Sequence, residues 1–445
     1  MKETQRPASL TRAAASTYAA NAGVALLSLV NVLVIARSMG VSGRGAVAFL
    51  VAVSMMSGHL VSLSIQEANA NLAASHPETR PSLATNSVLF AFLLGALAAA
   101  CVAALAHFFP SLGGHVDKTL FWFALASIPV SILKQYLVLL VQADYGFGVA
   151  NLAWVAGPLT TTLCNGALAV FGLITVGTAL SAWVLGQALG VVLLCVHIAR
   201  HAGFGLPNRA LARRSAAFGL KAHVGRLMEV GNYRGDQWLL GATWGPHELG
   251  LYSIAVAVSD VLAYLPGVLV LVQRLDLVRV DAREAAQRTA LVCRVGFLLS
   301  GAGAVLMIAL APFVIPRVFG WSFAAAVPQF QVLALGAIGV VAFELLRNAL
   351  TAQRKPMLGS AAVGIAFLLT VILDLTLIPA YGGMGAAVAT AVAYTVGGVG
   401  AALIFGIAMD TRLSDLAPRR GDVLWLRDKF ALLTATTLPA RRVAD

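Results

Sequence analysis

The sequence predicts an all-α polytopic membrane protein, with about 12 transmembrane helices in two parallel-repeat six-helix bundles around a central cleft. Composition, long apolar runs and a lopsided distribution of Arg and Lys predict it. Of the 445 residues, 59% are hydrophobic and 11% are charged, where a soluble domain carries about 25% charged residues. So few charges could not cover a soluble protein of this size. This excludes a soluble enzyme, a disordered chain, a secreted disulfide scaffold and a nucleic-acid-binding domain. Outer-membrane barrels show short alternating segments rather than unbroken apolar runs, so a barrel is not expected.

Apolar runs of 20 or more residues fall at about 13–36, 46–72, 83–109, 119–141, 151–173 and 176–199. Six more fall at about 217–243, 249–273, 292–316, 327–352, 357–379 and 385–409. Each is long enough to cross roughly 30 Å of hydrocarbon as a helix. Breakers such as Gly40-Val41-Ser42-Gly43, His76-Pro77-Glu78 and Tyr381-Gly382-Gly383 separate them. The first run is too long for a signal-peptide core and is read as a retained anchor. The domains expected are an N-terminal bundle at 1–199, a cytoplasmic linker at 200–216, a C-terminal bundle at 217–409 and a basic cytoplasmic tail at 410–445. A longer basic loop is expected at about 274–291. The tail from Asp422 to Leu433 reads either as an interfacial amphipathic helix or as a disordered basic segment.

The net charge of +12 reports orientation rather than affinity for nucleic acid. With a cytoplasmic N-terminus, the inward loops hold Arg200, Arg209, Arg213, Arg214, Lys221, Arg274, Arg279, Arg283, Arg288, Arg294, Arg354 and Lys355. Seven more Arg and Lys lie in the tail, whereas the outward loops hold only Arg37, Arg44, Lys118 and Arg317. Both termini are therefore expected in the cytoplasm. Cys101, Cys164, Cys195 and Cys293 form no CxxC pair and read as buried, inert thiols.

An internal repeat organises the chain. At a shift of 205 residues, Asn31–Ser54 aligns with Asp236–Ser259. Gly40 falls on Gly245, Gly45 on Gly250, and Val51-Ala52-Val53-Ser54 is identical to Val256-Ala257-Val258-Ser259. At a shift of 213, Leu133-Lys134-Gln135 lies over Leu346-Arg347-Asn348. Six crossings apart, each pair has the same orientation. This is a parallel repeat, and two similar bundles facing a cleft have the geometry of an alternating-access transporter.

Span seven carries the candidate site. Arg226, Glu229, Tyr233 and Asp236 step by three, four and three residues along one helical face, with Gln237 beside them and Arg234 on a neighbouring face. Four charges at mid-bilayer would cost roughly 10–14 kcal/mol in lipid, so that face is expected to meet water or partners in the cleft. Span ten repeats the pattern with Glu344, Arg347, Asn348 and Thr351, and Lys134 is the equivalent cation in the other half. Glu67, Asp260 and Asp374 are isolated acids. Two readings stand. Arg226–Glu229 and Glu344–Arg347 are i,i+3 pairs that neutralise each other. Alternatively, the cations (Arg226, Arg234, Arg347, Lys134, with Tyr233, Gln237 and Asn348) bind an anionic substrate. The acids Glu229, Asp236, Glu344, Asp260 and Glu67 then serve coupling or charge balance. Arg37 and Arg44 mark an outer gate, or snorkel beside a turn. No metal signature, phosphate loop, nucleophile elbow or nucleotide-binding domain is present, so no cofactor and no enzymatic activity are expected.

These residues resemble a family. Arg37-Ser38-Met39-Gly40 with Gly43-Arg44-Gly45, Asn232-Tyr233-Arg234-Gly235-Asp236, Leu249-Gly250-Leu251-Tyr252, the segment Leu346–Pro356 and the segment Leu377–Ala387 are together similar to the multidrug/oligosaccharidyl-lipid/polysaccharide flippase superfamily. Within it, the chain most resembles the bacterial polysaccharide flippases of the Wzx type. The resemblance implies transfer of an undecaprenyl-pyrophosphate-linked oligosaccharide from the inner to the outer leaflet of the bacterial inner membrane, for O-antigen, capsule or exopolysaccharide. It implies membrane lipid, H⁺ or Na⁺, and polysaccharide polymerase and chain-length proteins as candidate partners, with no nucleic acid. Two other readings compete. A cation-coupled multidrug exporter would need an acidic, aromatic cleft, and no compact acidic pocket is visible. A membrane glycan polymerase would need a large outward loop, and an O-acyltransferase an intramembrane His with an Asn or Asp partner. His59, His107 and His197 show no such partner in the sequence.

The charge asymmetry makes a direct prediction. Reporter fusions near Arg419-Arg420 should read cytoplasmic, and a periplasmic reading there would overturn the even number of crossings.

Overall fold

The twelve expected crossings are carried by fewer, longer helices, three of them broken at glycine. The computed structural model describes residues 6–113, 115–277 and 280–423. In chain order these form α1 (Arg6–Val61), α2 (Ile65–Ser75), α3 (Arg80–Phe108), α4 (Lys118–Ala126), α5 (Ile128–Ala143) and α6 (Phe147–Val170). The order continues with α7 (Val176–His201), α8 (Arg209–Leu277), α9 (Ala282–Phe319), α10 (Ala326–Ala352), α11 (Pro356–Met409) and the single-turn α12 (Leu413–Leu416). No strand occurs among the described residues.

Eight helical stretches among the described residues are long and apolar enough to cross a membrane. Two of them are 43 and 53 residues long, far beyond one crossing. Gly40 breaks the first, in α1 (φ 67°, ψ −168°), and Gly382 breaks the second, in α11 (φ 58°, ψ −135°). Gly245 breaks the 69-residue α8 in the same way (φ 77°, ψ −171°). A side chain at such positive φ would be strained, so glycine is what permits each reversal. Counting each broken helix as two crossings gives the expected twelve, among them the charged first half of α8. The paired breaks at Gly40 and Gly245 share one backbone conformation, as the repeat requires.

The chain divides into two compact units. The first comprises residues up to Ala257, with Phe313–Gln329 and Val371–Ala386. The second comprises Val258–Pro312, Phe330–Thr370 and the chain from Ala387.

In the first unit, α1 and α6 are joined by a polar ladder. Asn151 bonds Ser16 and Thr17, Thr162 donates to the Leu27 carbonyl (3.0 Å), and Asn165 donates to Asn31 (2.8 Å). Each pair is 134 or 135 residues apart. A constant offset means that the helices run parallel and in register, as the first and fifth crossings must. Next to them α6 and α7 approach closely, because Gly157 and Gly186 lack side chains. A Cβ on Gly186 would collide with the Gly157 carbonyl, 3.1 Å from its carbon. Small residues allow this contact where lipid supplies no hydrophobic drive between helices. A capping box starts α7, with Thr175 accepting from the Thr178 N–H (3.2 Å) and Thr178 from the Thr175 N–H (2.8 Å). The 200–216 linker is tied down by Asn208, which caps α8 through the Leu211 N–H and exchanges two hydrogen bonds with Asn86 of α3.

In the second unit, the expected basic loop is mostly helix, because α9 begins at Ala282. Asp281 caps it through the Glu284 N–H (2.8 Å), and Arg288 pairs with Glu284 one turn on (2.6 Å). Capping and an i,i+4 pair extend the helix past its apolar stretch. The cysteines also differ from expectation: Cys293 is buried, whereas Cys101 is exposed on α3. The tail proposed as an amphipathic helix lies outside the described residues beyond Val423.

The repeated segments touch each other within the first unit. A Cβ on Gly45 would collide with the Pro246 carbonyl and stand 2.7 Å from the Gly250 nitrogen. One on Gly250 would collide with the Val41 carbonyl. Residues 41 and 246, like 45 and 250, are equivalent under the 205-residue shift, so the contact is reciprocal and implies a local two-fold axis. Overpacking typically costs about 1–3 kcal/mol. Gly250→Ala should therefore lower the thermal midpoint of the purified protein. Gly225→Ala in the same helix meets nothing within 4 Å and should leave the midpoint unchanged or raise it. A Gly250→Ala protein as stable as the parent would remove this contact from the fold's essentials.

Candidate functional site

The charged first half of α8 adjoins a cavity of about 520 Å³, lined by α1, α6, α7 and α8 and lying wholly within the first unit. Arg226, Arg234 and Gln237 line it from α8, and Arg44 and His59 from the second half of α1. No carboxylate is among its described lining residues. The side of Arg44 carrying Nε is buried, as is His59 Nδ1, and neither atom has a hydrogen-bond partner among the described residues. A buried donor left unmet inside a polar cavity is satisfied by water or by a ligand. The cavity can therefore hold a hydrated, acceptor-rich anion.

Arg44 was expected beside Arg37 at an outer turn. It lies on α1 beyond the Gly40 break, and its side chain joins the α8 arginines at the cavity. Arg37 instead caps a helix. Its Nε donates to the Val318 carbonyl (2.7 Å) and its Nη2 to the Arg317 carbonyl, at the C-terminal end of α9. A cation there satisfies terminal carbonyls and opposes the helix dipole.

Asp236 and Gln237 are both buried, but only Gln237 is among the cavity-lining residues. Asp236 accepts a hydrogen bond from the Tyr252 hydroxyl, and its Oδ1 accepts the Gln237 N–H (2.7 Å). Glu229 and Tyr233 lie on the same helix, but their side chains are outside the described residues. Lys134 is buried behind the wall. Its ammonium donates to Gln187 Oε1 (2.9 Å) and lies 5.6 Å from the centre of the Trp154 ring. Gly157 and Gly190 leave room for it: a Cβ on either would come within about 3.0 Å of the lysine chain.

Arg347 and Glu344 form an ion pair within α10 (2.8 Å), in the second unit with Asn348 and Asp260. This is the neutralising arrangement foreseen for that span. Glu67 is half-buried on α2, near two residues, Leu63 and Ser64, held at positive φ. Sequence reasoning missed His59, Asn165, Trp183 and Gln187 as cavity residues. Their neutral side chains give no insertion-cost signal, so only the packing reveals them.

A family model described as "Polysaccharide biosynthesis protein" matches residues 10–271, more than half of the chain. The chain belongs to the polysaccharide biosynthesis protein family. Among solved structures, this polysaccharide biosynthesis protein is similar to the lipid II flippase MurJ in an inward closed conformation. The TM-score is 0.73 at 14% identity, covering 95% of this chain and 93% of that one. It is similar to an inward-facing multidrug resistance MATE transporter of the MOP superfamily, with TM-score 0.61, 14% identity and coverage of 93% and 96%. A MOP-superfamily transporter from Pyrococcus furiosus, described as having a binding pocket of reverse polarity, gives TM-score 0.55, 12% identity and coverage of 90% and 95%. No curated protein sequence matches the chain significantly. At such identities the likeness is one of fold: a polytopic helical transporter architecture.

Proposed function

We propose that this family member flips an undecaprenyl-pyrophosphate-linked oligosaccharide from the cytoplasmic to the outer leaflet of a bacterial inner membrane, as Wzx-type flippases do. The observation that carries the reading is that three arginines, Arg44, Arg226 and Arg234, line one cavity. The doubly esterified pyrophosphate is dianionic and accepts hydrogen bonds only. Guanidinium forks match its oxygens two at a time, better than an ammonium. Attraction is stronger at reduced dielectric than in water, while the prenyl chain stays in the bilayer. The MurJ likeness supports the same reading, since that protein is a lipid II flippase. The multidrug alternative fits less well, because an organic cation entering this cavity would meet like charge.

The functional halves in this reading are 1–199 and 217–409, joined by the cytoplasmic linker, with both termini and the basic tail in the cytoplasm. Coupling to H⁺ or Na⁺ is assigned to Asp236, a buried carboxylate one residue from the cavity-lining Gln237. Polymerase and chain-length proteins would take the product at the outer leaflet.

The test is surface glycan per unit of inserted protein in a flippase-deleted host. Arg234→Ala should abolish export with insertion intact, and Arg234→Lys should be partly active. Losing one charge-assisted contact costs about 1.5–3 kcal/mol, or about ten- to a hundredfold. Full activity of both Arg226→Ala and Arg234→Ala would overturn the anionic-substrate reading. Asp236→Asn keeps an acceptor for Tyr252 but cannot titrate. It should slow transport, and an unchanged rate would remove Asp236 from coupling.

A further inference from the structure

The cavity offers two chemistries on different helices. Arg44, Arg226 and Arg234 supply cations from the second half of α1 and from α8, with the neutral imidazole of His59 beside them. The α6 and α7 lining is neutral, with Thr161, Thr162, Asn165, Trp183 and Gln187. Hydrogen bonding on this neutral wall leaves mostly acceptors. Thr161 donates to the Gly157 carbonyl (2.9 Å), and the one Thr162 proton is shared between the Pro158 (2.7 Å) and Leu27 (3.0 Å) carbonyls. Both hydroxyl protons are thereby committed to backbone, and lone pairs remain. Asn165 has no exposed surface. Its Nδ2 is held by Asn31, and its Oδ1 has no partner among the described residues. Gln187 is oriented from behind. Lys134 has no acceptor, so it must take Oε1 (2.9 Å), which leaves Nε2 as the one amide donor on offer. Trp183 adds a broad, half-buried apolar ring.

An acceptor-rich surface repels phosphate and carboxylate oxygens, which only accept. It suits a group rich in O–H donors that also has an apolar C–H face. We propose that the α6–α7 wall is a sugar subsite, in which an uncharged sugar ring stacks on Trp183 and gives its hydroxyls to Asn165 and the threonines. Gln187 Nε2 donates to one ring-substituent oxygen. The proposal rests on the lipid-pyrophosphate reading, and the subsite takes the sugar attached to that pyrophosphate. The same wall discriminates against an acidic sugar at that position, because a carboxylate there would face unprotonated oxygens.

Binding to the full-length protein in nanodiscs tests this with three ligands: a polyprenyl pyrophosphate without sugar, the same lipid bearing a neutral hexose, and the same lipid bearing a hexuronic acid. The parent should bind the hexose lipid most tightly, by about tenfold over the sugar-free lipid. Trp183→Ala should erase that tenfold advantage while leaving the sugar-free lipid unchanged, which also shows that the variant is folded. Trp183→Phe should retain most of it, and Asn165→Leu should lose part of it. Arg234→Ala should weaken all three ligands together. Equal weakening of all three by Trp183→Ala would make the ring merely structural and overturn the subsite, as would equal parental affinity for hexose and hexuronic lipids. A parent that binds none of the three overturns the lipid-pyrophosphate reading, and the subsite with it. Parental binding that Trp183→Ala leaves wholly intact overturns the subsite alone.

Discussion

A guanidinium inside a membrane protein must keep contact with water or with acceptors. At about 2.5–3.5 kcal/mol for each such charge at mid-bilayer, the first half of α8 could not face lipid with Arg226 and Arg234 on it. The surrounding helices answer that constraint with a polar cavity. Several cations elsewhere lie in ion pairs. Arg80 pairs with Asp144, Arg294 with Asp422 (2.9 Å) and Arg347 with Glu344 (2.8 Å). Neutralised pairs secure helices to each other or to themselves. The cavity arginines differ in position, because Arg44, Arg226 and Arg234 line one shared space.

Keeping the cavity open depends on tight packing around it. Gly157 and Gly186 let α6 and α7 meet backbone to backbone, and Gly157 and Gly190 leave a slot for Lys134. The lysine could not lie there without the acceptor on Gln187 and the Trp154 ring. One buried cation thus orients a neutral cavity residue, and its own charge stays behind the wall. The α1–α6 ladder sets the register in which Asn31 meets Asn165. Small residues and neutral amides therefore shape the cavity, and the arginines give it its sign.

The reciprocal contact of Gly45 and Gly250 bears on how such a fold arose. Two copies of one glycine-punctuated turn pack against each other through their backbones. A duplicated segment meets its own copy most closely around a two-fold axis, and only glycine permits both the positive φ at the break and the close approach one turn later. Gly382 repeats the break in α11, where a Cβ would stand 3.2 Å from the Trp244 indole, whose N–H donates to the Ile378 carbonyl (2.8 Å).

The sequence by itself determined the class, the number of crossings and the place where charge enters the membrane. These follow from local quantities: the length of apolar runs, glycine at the reversals and the insertion cost of Arg226 and Arg234. The helical part of the basic loop was less legible, because caps such as Asp281 act against an unfavourable composition. Only the tertiary structure decided which charges share a space. Arg44 and Arg37 look alike in sequence, seven residues apart around Gly40. The backbone reversal sends one to the cavity and the other to the end of α9. His59, Asn165, Trp183 and Gln187 were illegible for a related reason. A neutral side chain costs little to insert wherever it points, so its role depends on which neighbours the packing brings to it.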